Sequence, residues 1–241
     1  MILADRLAYA SRWRRRPLAE KSLLSAGLLA LALALPPVPG GALVLGTATA
    51  LALAAGTPAS AWIRLMAAPA AFVASGSLAL LAEMDAAGLH LAADHGRQAG
   101  LVALRALAAI AALLLLAATT PTPDLIQGLR RLGVPAELTE LALSIYRFIF
   151  VLQDTAAAMH AGQAARLGTD GWRRRVRSAG MLAASLLPRA LDRAHRQETG
   201  LAARCFDGSL RTLSPLRPAS PAGLIRVAVL LALLAGAGTW A

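Results

Sequence analysis

At 241 residues, with 57% hydrophobic and 15% charged residues and a mean hydropathy of +0.59, the chain lies outside the soluble balance of about a quarter charged residues. Aromatic residues make up 4%, and Leu and Ala dominate, so the apolar stretches favour helix over an outer-membrane barrel of alternating aromatic-rich strands. The net charge of +11 is carried by arginine, with Lys21 the only lysine, and the arginines gather on chosen sides of apolar runs, which favours a lipid boundary over nucleic acid. Cys205 is the only cysteine, so neither a disulfide framework nor a CxxC pair is available. The expected fold is all-α: a polytopic integral membrane protein with about five transmembrane helices and long amphipathic cytoplasmic helices.

Met1 to Lys21 carries Arg6, Arg12, Arg14, Arg15, Arg16 and Lys21 against Asp5 and Glu20, a segment expected to stay in the cytoplasm. Leu23 to Leu35, with the flank from Leu18, is the first expected span, stopped by Pro36, Pro37 and Pro39. A basic start and short apolar run also suit a signal peptide, but no small-x-small site closes the run before the prolines. Ala42 to Ala55 is the second span, joined to the first by a proline-glycine turn outside. Trp62 and Arg64 mark the next inner boundary, and Leu65 to Leu81 is the third span, with Pro69 expected to kink it.

Glu83 to Gln98 is polar and richer in acid than base, which suits an external loop. His90, Asp94 and His95 lie near helical spacing there and could hold a divalent ion, although a solvated loop accounts for them as well. Leu101 to Ala118 is the fourth span, interrupted by Arg105, and Leu224 to Trp240 is the fifth. Between them, fourteen arginines from Arg130 to Arg217 accompany eight acids from Asp124 to Asp207, which places this stretch inside. The expected organisation is a membrane part at 1–118, a cytoplasmic helical region at 119–220 and a last span at 221–241.

Two long helices are expected in the cytoplasmic region. The first has Leu138, Leu141, Ile145, Phe148, Leu152, Ala156 and Met159 on one face, with Glu140, Arg147 and Asp154 on another. The second runs from Gly171 with Trp172, Val176, Ala179, Ala183, Leu186, Ala190 and Ala194 on one stripe, and Pro188 is expected to bend it. Both are judged too charged to span. Arg173, Arg174, Arg175 and Arg177 form a basic run suited to anionic headgroups or a protein, and His160 and His195 read as surface residues. Each helix ends in a similar tripeptide, Ala165-Arg166-Leu167 before Gly168 and Ala203-Arg204-Cys205 before Gly208. The arginine offers a planar five-donor fork for an acidic groove, and the plainer alternative is a cation at the negative end of a helix dipole.

The run Thr119-Thr120-Pro121-Thr122-Pro123-Asp124-Leu125-Ile126-Gln127-Gly128-Leu129-Arg130-Arg131-Leu132-Gly133-Val134-Pro135, followed by Tyr146-Arg147-Phe148-Ile149, resembles the transmembrane T component of energy-coupling-factor transporters. Within that family it is most similar to the CbiQ branch, which serves cobalt uptake. The resemblance implies a non-catalytic coupling subunit of a bacterial inner-membrane importer, lying between two ABC-type, CbiO-like ATPases and a substrate-binding, CbiM-like membrane subunit, with a small CbiN-like subunit as a further partner. It implies that Ala165, Arg166, Leu167, Ala203, Arg204 and Cys205 dock into the ATPases. Leu167 and Cys205 stand where the family commonly has glycine or another small residue. No cofactor, resident metal or nucleic acid is implied.

Alternatives stay open at this level. A nickel or vitamin T component shares these motifs, and a membrane-anchored basic scaffold for lipid or nucleic acid would use the same arginines. An enzyme is disfavoured by the absence of Walker A, GxSxG and HExxH patterns and of paired carboxylates within an apolar span.

Overall fold

The computed structural model describes residues 3–80, 82–85, 88–91, 93–168, 170–206 and 218–240. The chain divides into two units, one formed by Met1–Leu125 with Pro215–Ala241 and the other by Ile126–Ser214. The first contains α1 (Leu3–Ala10), a 3-10 turn (Arg12–Arg15), α2 (Leu18–Ala34), α3 (Ala42–Ala54), α4 (Ala59–Ala79), α5 (Ala93–Thr119) and α9 (Pro221–Trp240). The second contains α7 (Ala136–Ala165) and α8 (Trp172–Ala202), while α6 (Thr122–Arg131) runs across the division. Two short antiparallel strands, β1 (Ala82–Asp85) and β2 (Gly88–Leu91), pair where a polar loop is expected. The all-α class holds apart from this hairpin.

Packing in the first unit is centred on α5, which contacts α1, α2, α3 and α4, while α9 lies against α2. The helix periodicity appears directly in burial. Leu24, Leu28 and Ala32 of α2, Val44, Ala48 and Ala52 of α3, and Ala108, Ala111, Ala112, Leu115 and Ala118 of α5 are all buried. Most of the central residues are alanines, and small side chains let helix backbones approach closely where no hydrophobic drive operates between helices in lipid. Outward-facing Leu33, Ile63, Phe72, Ile225 and Leu233 are exposed, as an acyl-chain environment requires.

Among the described residues, five helical stretches are long and apolar enough to cross a membrane: Pro37–Ala54, Ala59–Ala79, Gly96–Thr119, Ala136–Ala165 and Pro221–Thr239. This set differs from the sequence expectation at two places. α2 has 17 residues and falls just short, yet it packs antiparallel along α5 inside the bundle. α7 enters the set because an 18-residue stretch of it is apolar and contains few charges, although the spacing of Glu140, Arg147 and Asp154 makes it read as too charged. The third helix also begins earlier than expected, at Ala59, because Pro58 starts it and Trp62 is buried within its first turns.

Helix ends need partners, since the last carbonyls of a helix have no intrahelical donor. The first unit supplies these from far along the chain. Lys21 Nζ donates to the Thr119 carbonyl at 3.1 Å, closing α5 just before Pro121. Arg105 Nη2 donates to the Leu35 carbonyl at 3.0 Å, closing α2. Between these two contacts Ser25 Oγ donates to the Ala112 carbonyl at 2.6 Å. Helices α2 and α5 therefore cap each other, a cation from each meeting the negative end of its neighbour.

At the end of α3, the Ala55 carbonyl accepts from the Arg12 amide at 2.9 Å and from Ser11 Oγ at 3.1 Å. The start of α9 is closed with the opposite sign. Ser220 Oγ accepts from the Gly223 amide at 3.0 Å, and Glu20 accepts from the Ser220 amide and hydroxyl at 3.4 and 3.2 Å. Adjacent residues of α2 thus serve two helices, Glu20 the positive end of α9 and Lys21 the negative end of α5.

Replacing Lys21 with Met or Arg105 with Gln should each cost about 1.5–3 kcal/mol, the range for a hydrogen bond from a charged group. Because the sites lie at opposite ends of α2, about 20 Å apart, the two losses should add in the double variant. Denaturant unfolding in micelles checks this, and a double variant no worse than either single one would show that the caps do not act independently.

Candidate functional site

The second unit is a helical hairpin. Gln163 Nε2 donates to the Ser178 carbonyl at 3.2 Å and Ser178 Oγ donates to the Gly168 carbonyl at 2.8 Å, so the turn is clasped to the first part of α8. Further along, Ser185 Oγ lies 3.7 Å from Met159 Sδ. Ser144, Phe148 and Val151 then face Arg193, Gln197 and Leu201 across a cleft, and this steady pairing makes α7 and α8 antiparallel. A Cβ at Gly168 would come within 2.9 Å of the Gln163 carbonyl oxygen and 3.0 Å of Ser178 Oγ, so glycine is required by the close approach.

Both tripeptides end their helices in the same backbone motif. After α7, the Gly168 amide donates to the Gln163 carbonyl at 2.9 Å and the Leu167 amide to the Ala164 carbonyl at 3.0 Å. After α8, the Phe206 amide donates to the Leu201 carbonyl at 3.1 Å and the Cys205 amide to the Ala202 carbonyl at 3.1 Å. Each pair is a six-to-one and five-to-two closure, the Schellman motif, with the arginine at its cap and the next residue left-handed. Leu167 has φ +56° and Cys205 φ +54°, and among the described residues these are the non-glycine residues with positive φ. Helix α6 ends in the same motif with Gly133 at φ +91°, its amide donating to Arg130 and that of Val134 to Leu129.

This geometry explains why glycine suits the third place of the tripeptide. The position is left-handed, where a side chain costs about 1–2 kcal/mol. Leu167 and Cys205 carry that cost. Arg166 and Arg204 are both exposed, and Gly208 lies outside the described residues.

Spacing of the arginines follows from the hairpin. α8 has 31 residues, about 46 Å at the helical rise. Because the clasp brings the turn alongside Ser178, Arg166 sits one to two turns inside the start of α8, and Arg204 follows its end. Roughly 40 Å of helix separates the two. Pro188 lies within α8 and offers no amide to the Ala184 carbonyl.

Arg204 also borders the cleft of about 400 Å³ between the helices, beside Arg147, Arg193 and Arg196, with Phe148 and Leu201 in its floor. Among the described residues no carboxylate lines this cleft, which suits an acidic surface. The helical period puts Arg193 and Arg196 on one stripe of α8 with Arg189, and the antiparallel pairing, which no local pattern shows, brings Arg147 of α7 beside them.

The other residues singled out from the sequence play no part here. Arg173, Arg175 and Arg177 are exposed, and Arg174 makes a surface ion pair with Asp170 at 3.6 Å. His195 pairs with Glu198 at 3.8 Å on the surface. The side chains of His90, Asp94 and His95 lie outside the described residues, and among the described residues no group of three His, Cys, Asp or Glu is placed to hold a metal.

Fold and site together define a multi-pass helical membrane protein with an arginine-ended hairpin. A family model described as CbiQ, cobalt transport protein, matches residues 10–214. The CbiQ cobalt transport protein of Rhodobacter capsulatus is 47% identical over 235 residues, 97% of this chain and 96% of that protein. The Salmonella typhimurium protein of the same name is 32% identical over 217 residues, 85% and 96% of the two chains. A putative fused cobalt transport protein CbiMQ of Methanocorpusculum labreanum is 31% identical over 138 residues, 57% of this chain and 23% of that one. The chain belongs to the CbiQ cobalt transport protein family, whose members are transport proteins and not enzymes.

Leu167→Gly and Cys205→Gly should each stabilise the hairpin by about 1 kcal/mol, through relief of the left-handed strain. Leu167→Val should destabilise it by about as much, since a branched side chain fits that conformation less well. Hydrogen exchange at the ends of α7 and α8 reports the change. Faster exchange in both glycine variants would contradict the strain argument.

Proposed function

We propose that this chain is the transmembrane coupling subunit of a cobalt importer, with Arg166 and Arg204 docking into two cytoplasmic ATPases of the ABC type. The observation that carries the reading is the shared construction of the two helix ends. A symmetric pair of ATPases needs two similar plugs at a fixed separation, and two exposed arginines on identical closures, roughly 40 Å apart, meet that need.

The basic residues of 1–21 and the fourteen arginines from Arg130 to Arg217 support a cytoplasmic N-terminus and a cytoplasmic region at 119–220. In this reading α7 lies outside the membrane despite its apolar window, with Leu138, Leu141 and Ile145 exposed for a protein partner. The fused CbiMQ relative supports a CbiM-like membrane subunit as that partner, and cobalt is the cargo named in the relatives. Hydrolysis of ATP belongs to the ATPases.

Closure of the ATPases on ATP brings their grooves together, and the distance between the two arginines has to change with them. The clasp of Gln163, Ser178 and Gly168 holds one end of α8 firmly. Pro188 interrupts the helical ladder between the two docks, so bending there takes up the motion and tilts the attached helices. The coupling energy is the difference in contact between open and closed ATPases.

Arg166→Glu and Arg204→Glu should each abolish ATPase co-purification or lower cobalt uptake at least tenfold, because truncating one partner of a buried charge pair costs about 3–5 kcal/mol. Pro188→Ala should leave co-purification intact and lower uptake. Normal uptake in both arginine variants would overturn the docking assignment, and normal uptake in Pro188→Ala would remove the bend from the mechanism.

A further inference from the structure

Within the first unit, a cleft of about 720 Å³ opens between the segment from Trp13 to Lys21 and the first half of α9. Its mouth is cationic. Arg15, Arg16 and Arg226 border it and are exposed, and the Arg16 guanidinium lies 4.3 Å from the centre of the Trp13 ring. Arg226 uses Nε to donate to the Ala222 carbonyl at 3.2 Å, which leaves its terminal nitrogens for a ligand. The opposite wall is apolar, formed by Leu24, Leu51, Val227 and Leu230.

Charge in the lining is unbalanced. Glu20 is the only carboxylate among its described lining residues, and it already accepts from Ser220. Lys21 is committed to the Thr119 carbonyl. None of the three arginines forms an ion pair with a described carboxylate. Three guanidinium groups therefore border one opening against a single carboxylate among its described lining residues.

The apolar wall decides between ligands. Soluble phosphate would satisfy the arginines and leave four aliphatic side chains against water. An acidic peptide would set its polar backbone against the same wall. A molecule with an anionic head and a hydrocarbon tail satisfies both surfaces, and the cleft lies where the basic N-terminal segment meets the start of α9, the place the positive-inside pattern gives to the headgroup boundary.

We propose that this cleft holds one anionic glycerophospholipid, its phosphate on Arg15, Arg16 and Arg226 and one acyl chain along Leu24, Leu51, Val227 and Leu230. Bound there, the lipid ties the N-terminal segment to α9 beside the Glu20 and Lys21 caps. The assignment is independent of the ATPase docking role.

Native mass spectrometry of the full chain released from micelles tests it, with phosphatidylglycerol or phosphatidylcholine added as probe. The wild type should retain one phosphatidylglycerol with about tenfold preference over phosphatidylcholine. The triple variant Arg15→Gln, Arg16→Gln, Arg226→Gln should lose that preference, while Arg173→Gln, Arg174→Gln, Arg175→Gln should keep it. Leu230→Trp fills the apolar wall with every charge in place and should also reduce retention, which keeps the test decisive if the triple variant loses helicity. Equal retention of the two lipids by the wild type, undiminished preference in a folded triple variant, or displacement of phosphatidylglycerol by an equal concentration of inorganic phosphate would overturn the proposal.

Discussion

The bond from Lys21 to the Thr119 carbonyl is the contact on which the membrane bundle depends. Lys21, Thr119 and Thr120 are buried, so the open carbonyl at this helix end has to be met by the protein. α5 ends at Thr119 because Pro121 cannot extend it, and the lysine from α2 closes the end that results. Arg105 returns the favour at Leu35, and Ser25 fixes the register midway. Once α2 and α5 are set in this register, α1, α3 and α4 have a surface to pack on, and Glu20 locates the start of α9. A shift of one residue would break all of these contacts together.

The second unit solves the same problem with local means. Its helix ends are exposed, and each is closed by its own backbone through a left-handed residue after the arginine. Glycine at position 133 does this without strain, whereas Leu167 and Cys205 do it against their preference. Backbone closure leaves the arginine side chains uncommitted to their own helix ends. That freedom is what a docking residue requires, and it separates Arg166 and Arg204 from Lys21 and Arg105, which are consumed in capping.

The apolar runs were legible because helix composition and proline stops are local properties: α2 ends where Pro36 dictates, and α9 begins beside Pro221. The caps were not. Lys21 and Arg105 read as boundary charges, since their acceptors lie 98 and 70 residues away. On α7 the expected face is half right. Phe148, Leu152, Ala156 and Met159 are half-buried, but Leu138, Leu141 and Ile145 are exposed. On α8 the stripe of Trp172, Val176, Ala179 and Ala183 is exposed, and Ser178 is buried instead. Contact there is made by small polar residues bonding to backbone, which a hydropathy period does not detect. The arginine tripeptides were visible as words, while their common left-handed geometry needed coordinates.

Pulsed electron resonance between two spin labels tests the central claim most directly. Cys205 is the natural site for one label, being the only cysteine and exposed, and Leu167→Cys supplies the other at the matching position. In the assembled transporter without nucleotide, one narrow distance near 40 Å is expected, set by the rise of α8. Trapping the ATPases with ATP should shorten it by several ångströms as α8 bends about Pro188. A distance unchanged between the two states would contradict coupling through this hairpin, and a broad distribution in both would contradict the hairpin as a mechanical element.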